Sequence, residues 1–190
     1  MRPFFPLCLW LLVALLPGCE PVNRKPVWTE ARIDRLLDRT DSFELCDGVF
    51  CALADVWGNR IDAANEPEPS RTVTLVWHSA GLIENGGFKY LFEGNFNGDP
   101  GYRITAAAYE RIVAPNAAAA FQEAFALFPN GQLPLDVDER LRIYESLPEA
   151  TRDAVDHRFF DALEEVKRQM AVYVRANKAD LKRTLMTLTK

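Results

Sequence analysis

The sequence has little of what most catalytic chemistry uses. It holds two histidines, His78 and His157, and four cysteines, Cys8, Cys19, Cys46 and Cys51, in 190 residues. A zinc site needs a second ligand pair beside Cys46 and Cys51, and none occurs at such spacing. No Gly-rich phosphate loop and no succession of strand-like segments occurs, which argues against nucleotide-binding α/β folds and against sandwiches or barrels. Basic residues are scarce, 22 Lys and Arg against 27 Asp and Glu. They are not clustered, so direct nucleic-acid binding is not expected, because phosphate contacts need grouped Lys and Arg. No cofactor and no metal is expected either. A long hydrophobic run is also missing. The longest, Phe4 to Leu16, is thirteen residues broken by Pro6, against about twenty for a bilayer span.

That short run, preceded by Arg2, fits a signal-peptide core. It ends in Leu16-Pro17-Gly18-Cys19, which resembles the lipobox of bacterial lipoproteins, although Pro17 departs from the commoner Ala, Ser or Thr. The resemblance implies cleavage after Gly18 and lipidation of the Cys19 thiol, with acylation of the freed amine. Residues 1–18 are then a lipoprotein signal peptide, 19–26 a lipidated Cys and tether, and 27–190 one domain. Glu20 to Pro26 would reach roughly 25 Å when extended, so the domain would work close to a membrane. Glu20 in place of Asp carries no inner-membrane retention signal of the enteric kind. The expected place is the periplasmic side of the outer membrane. Cleavage removes Arg2 and leaves 172 residues with a net charge of −6 instead of −5, enough chain for one domain with a real core.

Cys46 and Cys51, in "ELCDGVFCAL", form a candidate disulfide in an oxidising envelope. Asp47-Gly48 could turn the chain to bring them together. In one continuous helix, residues five apart point in different directions, and two free thiols are expected instead.

The rest of the pattern is helical. Ile33, Leu36 and Leu37 share a face after Thr29, a candidate N-cap. A further helix is expected over Leu45 to Trp57. Arg71 to Glu84 follows Ser70, a good cap, although its β-branched start "TVTLVW" also suits a strand. Pro100-Gly101 opens Tyr102 to Val113, and Pro115 opens a helix whose Phe121, Ala124, Phe125 and Phe128 form a core stripe. Asp136 caps Val137 to Leu147. Pro148 opens another helix around Thr151 to His157. Leu163, Val166, Met170 and Tyr173 form the next stripe, and Leu181, Leu185 and Leu188 continue beyond Asn177. The expected fold class is all-α, a single compact multi-helix domain.

Between two of these helices lies "IENGGFKYLFEGNFNGD", Ile83 to Asp99. Asn95, Asn97 and Asp99 have the spacing of a calcium loop, but Pro100 replaces its glycine and Ala106 its final glutamate. Glu84, Glu93, Asp99 and His78 are the carboxylates and imidazole from which an acid–base site could be built, yet no motif sets their geometry. The simpler expectation is a helix terminator in which Asn85-Gly86-Gly87 supplies positive φ. Phe88, Leu91 and Phe92 then return to the core.

The stretch Glu84-Asn85-Gly86-Gly87-Phe88-Lys89-Tyr90-Leu91-Phe92 resembles the E-x-N-G-G-F-x-x-[YF]-[FL] hallmark of the C-terminal domain of the DNA-mimic protein family. "GNFNGD", ending at Asp99, is similar to its N-x-x-G-D segment, and "AAAYERI" to its small-residue helix. The likeness covers about Thr72 to Leu147. It implies a helical, non-catalytic domain, with Glu84, Asn85, Gly86, Gly87, Phe88 and Asp99 as family markers. Named members present acidic surface to DNA-binding proteins. Asp136 to Glu165 suits such a surface, with ten carboxylates against four arginines. Asp153, Asp156 and Asp161 are its candidate interaction face. A secreted chain does not meet cytoplasmic DNA-binding proteins, however. The leading expectation is a membrane-anchored, non-enzymatic domain binding an unknown protein, in one version immunity-like. The alternatives are an envelope hydrolase using Glu84, Glu93 or Asp99, and a DNA mimic.

Overall fold

Eight helices follow one another through residues 28–57 and 62–188, which are those the structure, a computed structural model, describes. The signal peptide, Cys19 and the tether lie outside them. Helix α1 is Glu30–Leu37 and α2 is Ser42–Trp57. Thr29 caps α1 by accepting from Arg32 N at 3.3 Å, and Asp41 accepts from Glu44 N at 2.8 Å at the start of α2. Helix α2 is continuous through Asp47-Gly48, so Cys46 and Cys51 point apart. Both thiols are free, one buried and one exposed, and the candidate disulfide is not formed. Burial pushes the Cys46 thiol up to about 12, which keeps it protonated and inert.

Helix α3, Ser70–Phe92, includes the β-branched run. The strand alternative fails because Thr72 to Val76 are all buried, instead of alternating. Their polar atoms are satisfied by the helix backbone and by two carboxylates just before it. Thr74 Oγ1 donates to the Glu66 carboxylate at 2.9 Å and lies 3.2 Å from Ser70 O, and Thr72 Oγ1 donates to Glu68 at 2.7 Å. This local back-bonding lets threonines sit inside a buried helix. Helices α4 (Arg103–Arg111) and α5 (Pro115–Ala126) follow, then a 3-10 turn at Pro129–Gly131 and α6 (Val137–Ser146), capped by Asp136 as expected.

Helix α7 runs unbroken from Glu149 to Ala176, and α8 spans Lys178–Leu188. The sequence reading splits α7 into two, yet no Gly or Pro lies between Thr151 and Leu163. Val155, Phe159, Ala162 and Val166 give it one buried stripe. At 28 residues it is about 42 Å long, and α2, α3 and α5 pack along it. The centre of the core is aromatic. The Phe88, Phe121 and Phe159 rings meet edge-on with centroids 5.3–5.8 Å apart. This geometry adds favourable quadrupole contact to the buried area.

Candidate functional site

Helix α3 breaks where Asn85-Gly86-Gly87 predicts. Gly87 has φ +68 and ψ −173, a conformation that only glycine adopts readily. Gly86 is extended at φ −159 and needs no glycine for its backbone, but a Cβ there would lie 2.7 Å from Tyr90 Cβ. The break frees the N–H groups of a new helix start. Asp156, from α7, supplies the cap, with Oδ1 accepting from Phe88 N at 2.8 Å. A Cβ on Gly87 would fall 2.2 Å from Asp156 Oδ2. The glycine therefore answers to two demands, its backbone angle and the approach of a carboxylate from 68 residues away. Phe88, Leu91 and Phe92 are fully buried.

The other motif residues are also built into the fold. Asp99, 4% exposed, accepts from Ile104 N, Thr105 N and Thr105 Oγ1 at 2.7–3.1 Å and so holds the start of α4. Asn85 Nδ2 donates to Gly81 O at 2.7 Å. Glu84 is exposed and pairs with Lys167 at 3.3 Å.

Sequence reasoning missed Arg140. It is 0% exposed and has no carboxylate within ion-pair distance among the described residues. Its guanidinium donates instead to the carbonyls of Phe92 (3.3 Å), Gly94 (2.9 Å), Pro100 (3.0 Å) and Pro134 (3.0 Å), and to Asn95 Oδ1 (2.8 Å). It also lies over the Tyr102 ring, 5.5 Å from the centroid. Burial lowers its pKa from the ordinary value. The Phe92 and Gly94 carbonyls end α3, where the negative end of the helix dipole favours a cation. Arg140 thus joins the end of α3, the loop to α4 and the start of α6. The only sequence signal was an arginine at a position where α6 turns inward.

The acidic segment divides in two. Asp136 caps α6, Glu145 pairs with Lys89 at 2.7 Å, Asp156 caps Phe88, Glu164 pairs with Lys167 at 3.4 Å, and Glu165 accepts from Asn116 N and Nδ2 at 3.1 Å. The other five, Asp138, Glu139, Glu149, Asp153 and Asp161, are exposed and make no side-chain bond to another described residue. Asp156 is therefore removed from the expected interaction face: it is half-buried and part of the α3 break. Asp153 and Asp161 are eight residues apart on one unbroken helix. With Glu164 they sit opposite the buried stripe, at i, i+8 and i+11.

No hydrogen bond joins any two of Glu84, Glu93, Asp99 and His78. His78 instead stacks on Phe96, centroids 5.0 Å apart, and burial lowers its pKa. Among the described residues no cluster of His, Cys, Asp and Glu could hold a metal ion. No helix there is long and apolar enough to cross a membrane. What the Asn-Gly-Gly segment organises is a helical core, and residues 64–177 around it match the DMP19-like protein family. The chain belongs to that family. The match begins before Thr72 and continues past Leu147 to the end of α7, so the DMP19-like region includes α3 through α7 and leaves α1, α2 and α8 outside. It is a helical domain of the DNA-mimic type. No curated protein and no solved structure matches the chain.

Proposed function

We propose that this protein is a lipid-anchored envelope protein whose helical domain binds another protein without catalysing a reaction. The observation that carries the binding role is the division of the acidic segment. Five carboxylates cap helices, pair with a lysine or accept hydrogen bonds, and five on α6 and α7 are exposed and unpaired among the described residues; Glu164, paired only at the surface, extends the exposed set. Exposed like charges on rigid helices raise the local potential and steer a basic partner. Membership of the DMP19-like family supports the same reading, because the likeness is to proteins that act through an acidic surface. The proposed anchor is read from the Leu16-Pro17-Gly18-Cys19 segment, whose likeness to a lipobox supports a domain held beside a membrane, on the periplasmic side of an outer membrane. A basic protein within the envelope, such as a delivered toxin that this domain neutralises, is the partner class that fits both features. The DNA-mimic role proper is the second reading, favoured by the helical spacing of Asp153, Asp161 and Glu164.

Cross-linking in intact cells, followed by membrane fractionation and purification of the full chain, tests both. Recovery from the membrane fraction joined to a basic envelope protein supports the first reading. Recovery from the cytoplasm joined to a DNA-binding protein overturns it in favour of the second. A chain that hydrolyses envelope substrates and cross-links to nothing overturns both.

A further inference from the structure

A second surface is unlike the acidic one. Helix α2 buries Leu45, Cys46, Val49, Ala52 and Leu53, yet on another side it carries Phe43, Asp47 and Phe50 at i, i+4 and i+7. Phe43 is 58% exposed. These rings face α3: Phe43 lies 5.7 Å from Trp77 and Phe50 lies 6.0 Å from His78, centroid to centroid. Between the helices runs an open groove of about 710 Å³, lined by Phe50, Trp77, His78, Leu82, Asn85 and Tyr90. Tyr90 is 46% exposed.

Three features separate this groove from an ordinary seam between helices. Gly81 lines it, and a Cβ built there meets nothing within 4 Å among the described residues. Glycine inside a helix costs about 0.5–1 kcal/mol relative to alanine, and no described neighbour takes up the space it leaves. His78 Nδ1 is buried without a hydrogen-bond partner among the described residues. The charge is one-sided: α2 carries Glu44, Asp47 and Asp55 and no Lys or Arg. Asp47 is held at the groove by Trp77 Nε1, which donates to it at 3.3 Å. The nearby Lys89 is paired with Glu145, and Arg39 donates to the Glu44 carbonyl. The α2 wall also lies outside the region matched to the DMP19-like family.

We propose that the α2–α3 groove is a docking site for a short basic amphipathic helix of a partner protein. The wall from Trp77 to Asn85 is about 12 Å long, two turns of helix. That length takes apolar side chains spaced i, i+3 or i+4, and i+7, the usual anchors of a helix lying in a groove. Those side chains pack against Phe50, Trp77, Leu82 and Tyr90, while Lys or Arg on the flanks meets Glu44, Asp47 and Asp55. The α7 stripe takes no part.

The test is titration of the full-length chain with a synthetic Leu/Lys helix about four turns long, and with the same peptide carrying Glu in place of Lys. Calorimetry and tryptophan fluorescence follow binding. The Lys peptide is expected to bind saturably and the Glu peptide not to bind. Gly81→Leu fills the groove with a better helix former. It should keep or raise the unfolding temperature while weakening binding about tenfold or more. Tyr90→Ser, at an exposed site, should weaken binding as well. Asp47→Asn with Asp55→Asn should flatten the salt dependence. Asp153→Asn with Asp161→Asn should change nothing here. Wild-type affinity in the Gly81→Leu protein, or no saturable binding by wild type, overturns the proposal. So does a dimer that Gly81→Leu converts to monomer, since a second copy would then occupy the groove. Loss of peptide binding only in the Asp153/Asp161 variant would place the peptide on α7, overturning this site and sparing the acidic-surface reading.

Discussion

Gly87 has no room for a side chain and no freedom to adopt another backbone angle. Gly87→Ala is expected to destabilise the protein by about 3–5 kcal/mol, from backbone strain together with displacement of the Asp156 cap. Urea unfolding measures it, and a loss under 1 kcal/mol would mean that the break relaxes freely. The partner across the gap gives a second test. Asp156→Ala removes the acceptor for Phe88 N and should cost about 1–3 kcal/mol, whereas Asp156→Asn keeps an acceptor and should cost less. The two proteins should also differ in pH response. Burial raises the Asp156 carboxyl above its ordinary value, although the Phe88 N–H favours the charged form. A group whose folded pKa is raised adds stability below its unfolded pKa, and that stability is lost as pH rises through the folded pKa. Relative to Asp156→Asn, wild type should therefore be most stable in acid and lose ground towards neutrality. A difference independent of pH would show that the carboxyl titrates alike folded and unfolded.

Helix ends carry most of the polar order at the scale of elements. The end of α3 and the start of α6 meet on one buried guanidinium. Arg140→Met leaves the Phe92, Gly94 and Pro100 carbonyls without their donor and is expected to cost about 3 kcal/mol or more. Arg140→Lys should recover only part, since an ammonium cannot span the same fan of acceptors. Amide exchange should show the loss first in residues 93–101, and uniform loss across α1 to α8 would contradict the local role. Asp153 and Asp161 are exposed on α7 and bond to no other described side chain, so neutralising these two removes charge without touching packing. Stability should change by about 0.5 kcal/mol or less, while association with a basic partner slows on the order of 2–10-fold and loses part of its salt dependence. Rates equal to wild type at every ionic strength would leave the stripe as solvated surface. Adding Asp156→Ala to that pair should destabilise the fold, since its carboxylate is a cap.

For the molecule as a whole, the proposed membrane anchor rests on Cys19. Cys19→Ala is expected to abolish acyl labelling and to leave precursor or misplaced protein, with thermal unfolding of the helical domain unchanged. Labelling and fractionation in cells check this directly. Normal membrane attachment of the variant would remove the anchored reading and with it the objection to a cytoplasmic DNA mimic. The proposed lipid anchor and the acidic stripe should be separable, so that a variant defective in one retains the other.

Helix periodicity, the caps at Thr29 and Asp136 and the Asn-Gly-Gly break were legible from local pattern, because each depends on residues within one or two turns. The likeness of Glu84 to Phe92 to the DNA-mimic family was legible for the same reason. Cys46 and Cys51 were left open by sequence, since either a turn or a helix suits Asp47-Gly48; packing of α2 against α3 and α7 selects the helix. Charge counting placed Asp156 with Asp153, and only the approach of α7 to Gly87 separates a cap from a surface group. The groove between α2 and α3 could not be read at all, because its two walls are some thirty residues apart in the chain. Arg140 is the clearest case. Its charge counted as one of four arginines offsetting nearby carboxylates, yet acceptors from three separate segments surround it. Sequence alone determined most helix starts and the Asn-Gly-Gly break, since turn chemistry and spacing are local, but it divided α7, which tertiary packing keeps whole. Which charges face water and which hold the core together was decided by tertiary structure, because burial and hydrogen bonding depend on residues the chain brings from far away.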